Sequence, residues 1–318
     1  MNGRVLAVFL VAILVSGRAA ATDTPAGPLA AWHNAPQLRA AGKAPIIAAA
    51  RAGQRVVAVG DFGSVILSDD GKTFRQARRV PTRSVLTSVF FLDAKRGWAA
   101  GHDGTVIASD DGGESWRLLR EELGKDRALL SIWFADDHHG LAVGQFGLAL
   151  ETVDGGKTWN ERRLIGGETG EKHFMQIFAG SGGLVFIAAE SGTMLRSADG
   201  GRSWRAVQTD NRGSFWTGLV LADGAVIAAG MRGHIYRSDD RGLRWKEIPS
   251  GGRQSITAMA QRPDGSLRLI GNAGTDLLSK DGGRSFQANT HSNRANLTAL
   301  ATGGQGDVLF TLAGVVEK

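Results

Sequence analysis

Ser109 to Trp116 reads SDDGGESW, and the chain returns to this pattern again and again. It recurs as TVDGGKTW at Thr152–Trp159, SADGGRSW at Ser197–Trp204, SDDRGLRW at Ser238–Trp245 and SKDGGRSF at Ser279–Phe286, with a copy one residue shorter, SDDGKTF, at Ser68–Phe74. Successive closing aromatic residues lie 42, 43, 45, 41 and 41 positions apart, a period that points to a repeat architecture. The chemistry is that of a turn. Ser/Thr hydroxyls and Asp carboxylates bond nearby backbone N–H groups, and Gly supplies the positive φ of a tight connection. The aromatic residue then begins a strand and buries its ring beneath the turn. Repetition at constant spacing makes Asp70, Asp111, Asp154, Asp199, Asp240 and Asp281 structural rather than catalytic or Ca²⁺-binding.

A second repeated element precedes each turn: Gly60-Asp61-Phe62-Gly63, Gly101-His102-Asp103-Gly104, Gly144-Gln145-Phe146-Gly147, Ala189-Glu190-Ser191-Gly192, Gly230-Met231-Arg232-Gly233, Gly271-Asn272-Ala273-Gly274 and Thr311-Leu312-Ala313-Gly314. Each copy sits between two short apolar runs, the pattern of a hairpin turn, and the last glycine is present in all seven. Another strand lies upstream of each. Four short strands in about forty residues, seven times over, predict an all-β, seven-bladed β-propeller of four-stranded blades. The seventh unit stops at Lys318 without a turn motif or outer strand, while Trp32 supplies a ring of the missing kind near the N-terminus. The expectation is that residues Ala30 to Gln37 complete the last blade and remove its open edge.

Residues 1–21 read as a secretory signal peptide: a basic start at Asn2 to Arg4, ten apolar residues from Leu6 to Val15, and a small-residue cleavage site at Ala19 to Ala21. The expected mature chain, residues 22–318, is one propeller domain, periplasmic or secreted and monomeric. Ten apolar residues are too short to span a bilayer, and no second long apolar segment follows, so the mature chain is not expected to be transmembrane. The net charge of +6 becomes +4 once Arg4 and Arg18 leave with the leader. The chain has no cysteine, which rules out disulfides, a thiol nucleophile and thiolate metal ligands. No His/Asp/Glu set has metal-ligand spacing, and no cofactor or metal is expected.

The repeat Ser/Thr-x-Asp-Gly-Gly-x-Ser/Thr-Trp at this period, with Gly97-Trp98-Ala99-Ala100-Gly101 ahead of it, resembles the Asp-box (BNR) propellers of the photosystem II stability/assembly factor family. The resemblance spans residues 30–318. It implies a non-enzymatic, partner-binding propeller that helps assemble or stabilise a membrane protein complex.

The residues themselves point to one mouth of the channel. Four positions before the middle of each first strand stand Lys43, Arg83, Arg127, Lys172, Arg253 and Arg294, with Arg212 five before Thr217 in the remaining unit. In a propeller these connections share one face with the Gly-x-x-Gly hairpins, so seven cations are expected around one mouth. A concave rim of one sign attracts anionic groups, and Arg grips a carboxylate or phosphate through two bonds. The expected partner is an acidic or C-terminal segment of a membrane or envelope protein. The bland reading pairs each cation with Asp61, Asp103 or Glu190 of a neighbouring blade. Arg78, Arg79, Arg120 and Lys125, in the same connections, add positive charge, and Phe62 and Phe146 are expected to form an apolar patch beside the ring.

The alternative is a carbohydrate-active enzyme or lectin of sialidase-like type. A sialidase-like site needs a Tyr nucleophile and acidic partners, but the single tyrosine, Tyr236, holds a strand position filled elsewhere by Ile66, Ile107, Leu150, Leu195 and Leu277. Asp103 and Glu190 are the remaining candidate carboxylate pair. No catalytic residue is assigned. Nucleic acid is disfavoured by export and by the lack of aromatic residues interleaved with the cations.

Overall fold

A computed structural model describes residues 33–304 and 306–317; the expected signal segment and Trp32 lie outside them. Seven antiparallel sheets follow one another along the chain. The first blade takes its strands from Ile46–Ala52, Arg55–Gly60, Val65–Ser68 and Arg75–Gln76. The next five repeat this order, and the seventh has three strands, Leu297–Ala301, Val308–Thr311 and Gly314–Val315. In every blade the second strand is almost wholly buried, as in Val56–Val59.

The core lies between blades. Seven apolar clusters form, one at each junction, from the first and second blades (Val57, Leu67, Leu86, Trp116) to the seventh and first (Ile46, Ile66, Ala301, Phe310). Each of the seven first strands also carries a bulge that leaves one residue unpaired, from Ile47 to Thr298. These residues line a central channel of about 270 Å³. A bulge bends its strand and re-aims a side chain. Several hydroxyls and amides there bond the next blade's first strand: Thr87 Oγ1 donates to the Leu129 carbonyl at 2.6 Å, Ser131 Oγ accepts from Ile177 N–H at 2.9 Å, and Thr257 Oγ1 donates to Leu297 at 2.6 Å. Thr298 Oγ1 donates to the Ile46 carbonyl at 2.6 Å and so joins the last blade to the first.

The expected closing strand is not seen in the described part of its segment. Residues 33–37 form no strand, and the part of the expected segment at 30–32 lies outside the described residues. The described stretch crosses the first blade instead: Ala35 N–H donates to Val80 O at 2.9 Å, and Gln76 Nε2 donates to Pro36 O at 2.8 Å. Pro36 cannot donate to a ladder, and the side chain of Gln76 takes up the neighbouring backbone groups. Ring closure among the described residues rests on the inner strands.

The Ser-x-Asp turns share one hydrogen-bond plan. Ser/Thr Oγ donates to the Asp carboxylate at 2.7 to 3.0 Å in all six. In the five full-length copies the same hydroxyl accepts from the second glycine or its equivalent, as Gly113 N–H does at 2.9 Å. The carboxylate then caps the far side of the turn: Asp199 accepts from Ser203 N–H at 2.9 Å and from its hydroxyl at 2.6 Å. These bonds favour the ionised form. The Thr158 hydroxyl, foremost, holds Asp154 down at about 2. Asp70, Asp199 and Asp281 are held well below the usual carboxylate range by the Thr73 N–H and the Ser203 and Ser285 hydroxyls.

Thr298→Val keeps the shape but removes the closing bond, so urea unfolding is expected to show a loss of about 1 kcal/mol with an unchanged slope. The Asp pKa values are depressed in the folded state, so their contribution is full above the unfolded value of about 4 and is lost as pH falls through the folded values. Unfolding midpoints are therefore expected to drop between about pH 4 and pH 2, and the Asp154→Asn/Asp199→Asn/Asp281→Asn variant is expected to be less stable at pH 7 with a shallower acid limb.

Candidate binding site at the channel mouth

The last glycine of each hairpin builds the mouth. All seven have positive φ, from 59° at Gly104 to 111° at Gly314, where any L side chain is strained. Each also meets the backbone entering the next blade. Gly104 N–H donates to Arg127 O at 2.6 Å, Gly147 to Lys172 O at 2.8 Å, Gly192 to Gly213 O at 2.7 Å and Gly274 to Ala295 O at 2.8 Å. A Cβ on Gly63 would lie 2.1 Å from Thr82 O, on Gly233 3.0 Å from Gln254 O, and on Gly314 2.2 Å from Gly42 O. In all seven, the carbonyl belongs to the basic residue or its immediate neighbour. The sequence register of Lys43, Arg83, Arg127, Lys172, Arg212, Arg253 and Arg294 is thus the register of a backbone contact.

The seven cations divide into two groups. Lys43 Nζ lies 3.2 Å from Glu317, with both side chains exposed. Arg83 Nε donates to Asn34 O at 2.9 Å. Arg127 pairs with Glu161, which foremost raises its pKa, and also with Glu122 at 3.4 Å. Lys172 Nζ donates to Thr193 Oγ1 at 2.5 Å. Arg212, Arg253 and Arg294 are exposed, and among the described residues their side chains have no hydrogen bond or ion pair. They enter the fifth, sixth and seventh blades in succession.

The bland pairing expected from sequence is corrected in its partners. Asp103 accepts from Ser84 Oγ at 2.8 Å and Gly124 N–H at 3.2 Å, and Glu190 accepts from His173 N–H at 2.8 Å. They cap loops of separate blades and are not drawn together as a catalytic pair by any described bond. The acids that do pair, Glu317, Glu122 and Glu161, lie outside the repeated motifs. Arg120 lies beside Glu122 at 2.8 Å and, foremost, holds that carboxyl down at about 2; Lys125 joins them at 3.3 Å. Arg78 sits 3.8 Å from Asp111 of the next Ser-x-Asp turn rather than at the mouth. Phe62 and Phe146 are 64% and 70% exposed, but they belong to the first and third hairpins with Asp103 on the hairpin between. Phe146 packs edge-on against His173, and its N–H donates to that ring.

Sequence reasoning missed Arg232. It holds the left-handed third position of the fifth hairpin, is exposed, and its guanidinium has no partner among the described residues. The signal was available, since the equivalent Phe62, Asp103 and Phe146 had already been placed at the mouth. A cavity of about 870 Å³ lies between Arg232 and Arg253, and a second of about 440 Å³ between Arg212 and Arg232. Glu247, which lines both, is engaged by His234 Nδ1 at 2.5 Å.

Tyr236 is 2% exposed and packs edge-on against Phe215. Burial, foremost, pushes its hydroxyl above the ordinary value, the opposite of an activated nucleophile. Asp136, Asp137 and His138 stand close together and exposed in an outer turn, where the Asp136 carboxylate accepts from the His138 and His139 N–H groups.

Residues 114–267 match the family described as photosynthesis system II assembly factor YCF48. Over that segment the chain resembles this family. No curated protein matches the chain. Among solved structures, YCF48 bound to D1 peptide is 18% identical, with 88% of this chain and 94% of that chain covered at a TM-score of 0.70. YCF48 from Cyanidioschyzon merolae is 15% identical over 89% and 96%, TM-score 0.68. The WD40 propeller domain of Doa1 is comparable, at 14% over 89% and 95% with a TM-score of 0.67, so these likenesses speak to the fold.

The division of the ring is measurable in this propeller. Arg127→Gln removes the cation that pairs with Glu161 and leaves Glu122 to Arg120 and Lys125, and is expected to cost about 0.5–1 kcal/mol in urea unfolding. The triple variant Arg212→Gln/Arg253→Gln/Arg294→Gln breaks no internal bond and is expected to stay within about 0.5 kcal/mol of the parent.

Proposed function

We propose that this chain is an exported, non-enzymatic propeller, periplasmic or secreted, that binds an acidic segment of a membrane or envelope protein at its channel mouth and assists that protein's assembly or stability. The observation that carries this reading is the sector of Arg212, Arg253 and Arg294, exposed and unpartnered in three consecutive blades. A guanidinium already paired has little to offer an incoming carboxylate, whereas an open one donates a two-pronged, charge-assisted bond. The family match and the peptide-bound YCF48 propeller support a peptide ligand on this fold. Among the described residues no helix is long and apolar enough to cross a membrane, so the membrane connection is drawn through the partner.

Affinity capture from solubilised envelope membranes tests the reading. The mature protein is expected to retain a membrane protein that the Arg212→Gln/Arg253→Gln/Arg294→Gln variant loses, with capture weakening as salt screens the rim. Circular dichroism checks that both are folded. Capture of the same proteins by both forms would remove the open sector from the function.

A further inference from the structure

On the face opposite the mouth, the second position of the Ser-x-Asp turn is an acid in the first, second and fifth blades (Asp69, Asp110, Asp239) and Val153, Ala198 or Lys280 in the third, fourth and sixth; in the fourth blade an arginine stands beside that turn. Three blades aim an arginine at the carbonyl of the fourth residue in the next blade's Ser-x-Asp turn: Arg55 Nη1 donates to Gly112 O at 3.2 Å, Arg237 Nε to Gly282 O at 2.9 Å, and Arg196 Nε to Arg241 O at 2.7 Å. Two of them have a carboxylate from the second position of their own turn. Arg55 lies 2.6 Å from Asp69, and Arg237 pairs with Asp239. The first residue of the outer strand uses the same acid elsewhere, Arg75 with Asp69 at 3.5 Å and Arg117 with Asp110 at 3.4 Å.

In the fourth blade that second position is Ala198. Arg196 and Arg205 stand directly opposite each other across the strand pair, an arrangement of like charges that is destabilising. A third cation comes from the neighbouring turn, where Arg241 replaces the usual glycine and takes φ 59°. Arg205 and Arg241 are exposed, and no carboxylate pairs with any of the three among the described residues. Asp240, which acts on Arg196 electrostatically, accepts from the Ser238 hydroxyl and the Leu243 and Arg244 N–H groups at one oxygen, Oδ1, and forms no ion pair with any of the three arginines among the described residues. Arg196 carries a lowered pKa, through burial first and then Arg205 and Arg241. Arg55 and Arg237, by contrast, pair with the acid of their own turns.

We propose that Arg196, Arg205 and Arg241 frame a binding site for a phosphate-type oxyanion, which takes the place of the carboxylate that Ala198 does not provide. Three guanidinium groups present more donors than one carboxylate can accept, and a tetrahedral dianion has oxygens for all of them. The shared chemistry is a phosphate group, whether free or on a lipid headgroup. The site lies at the end of the blades away from the mouth and is independent of the peptide-binding reading.

Isothermal titration with inorganic phosphate at constant ionic strength tests it. The parent and the mouth variant Arg212→Gln/Arg253→Gln/Arg294→Gln are expected to bind saturably and alike. Arg205→Gln/Arg241→Gln is expected to lose at least about tenfold in affinity. Ala198→Asp, which supplies the carboxylate that the first, second and fifth turns carry, is expected to abolish binding and to raise the melting temperature without phosphate. Sedimentation with phosphatidylglycerol vesicles, lost in Arg205→Gln/Arg241→Gln, would identify the headgroup as the source; phosphate binding without vesicle binding would identify the free anion. Equal phosphate affinity in all four proteins, loss in the mouth variant instead, or no binding by the parent would overturn the proposal.

Discussion

The contact on which the rest depends is the fit of a glycine in one blade against a backbone carbonyl in the next. The last glycine of each hairpin must hold a positive φ and must also leave room for a peptide group where its own Cβ would be. Only glycine meets both demands without strain. Because the carbonyl belongs to the connection entering the next inner strand, one contact sets three things together: the hairpin, the angle between blades, and the place where the basic residue emerges. A ring of cations is then a by-product of how blades are joined, and its chemistry depends on what each cation meets afterwards.

Repetition makes the exceptions informative. Arg127 and Lys43 find acids from outside the repeat, while Arg212, Arg253 and Arg294 find none. On the opposite face the same logic applies with roles reversed, since a carboxylate that the turn supplies to Arg55 and Arg237 is missing beside Arg196. A copied contact says how the fold holds. A copy that has lost its partner exposes chemistry that the fold does not use, and a free guanidinium on a rim is worth more to a ligand than to stability.

The fold was legible because its signals are local and periodic. The Ser-x-Asp turn, the hairpin glycine and the apolar strands each occupy a few consecutive residues and recur at a fixed spacing. The register of the basic residues was legible for the same reason. Their partners were not, because Glu317, Glu122 and Glu161 come from the C-terminal end, a connecting loop and a two-residue outer strand, none of them repeated. Arg232 escaped notice because the hairpin's third position varies freely among Phe, Asp, Ser, Arg and Ala. The closing strand was expected from Trp32 and the seventh unit's missing outer strand, and nothing local in residues 33–37 signals that their hydrogen bonds go to Val80 and the Gln76 side chain. The separation of Phe62 from Phe146 follows from blade order and could have been counted.

The most direct test of the central claim is hydrogen–deuterium exchange on the mature protein with and without a synthetic peptide copying the acidic segment of a captured partner. The account predicts slowed exchange in the connections at 209–214, 249–254 and 291–296 and in the hairpin around Arg232, with the connections around Arg83 and Arg127 unchanged. Protection confined to the Arg83, Arg127 and Lys172 side of the mouth, or to the Ser-x-Asp turns on the opposite face, would contradict it.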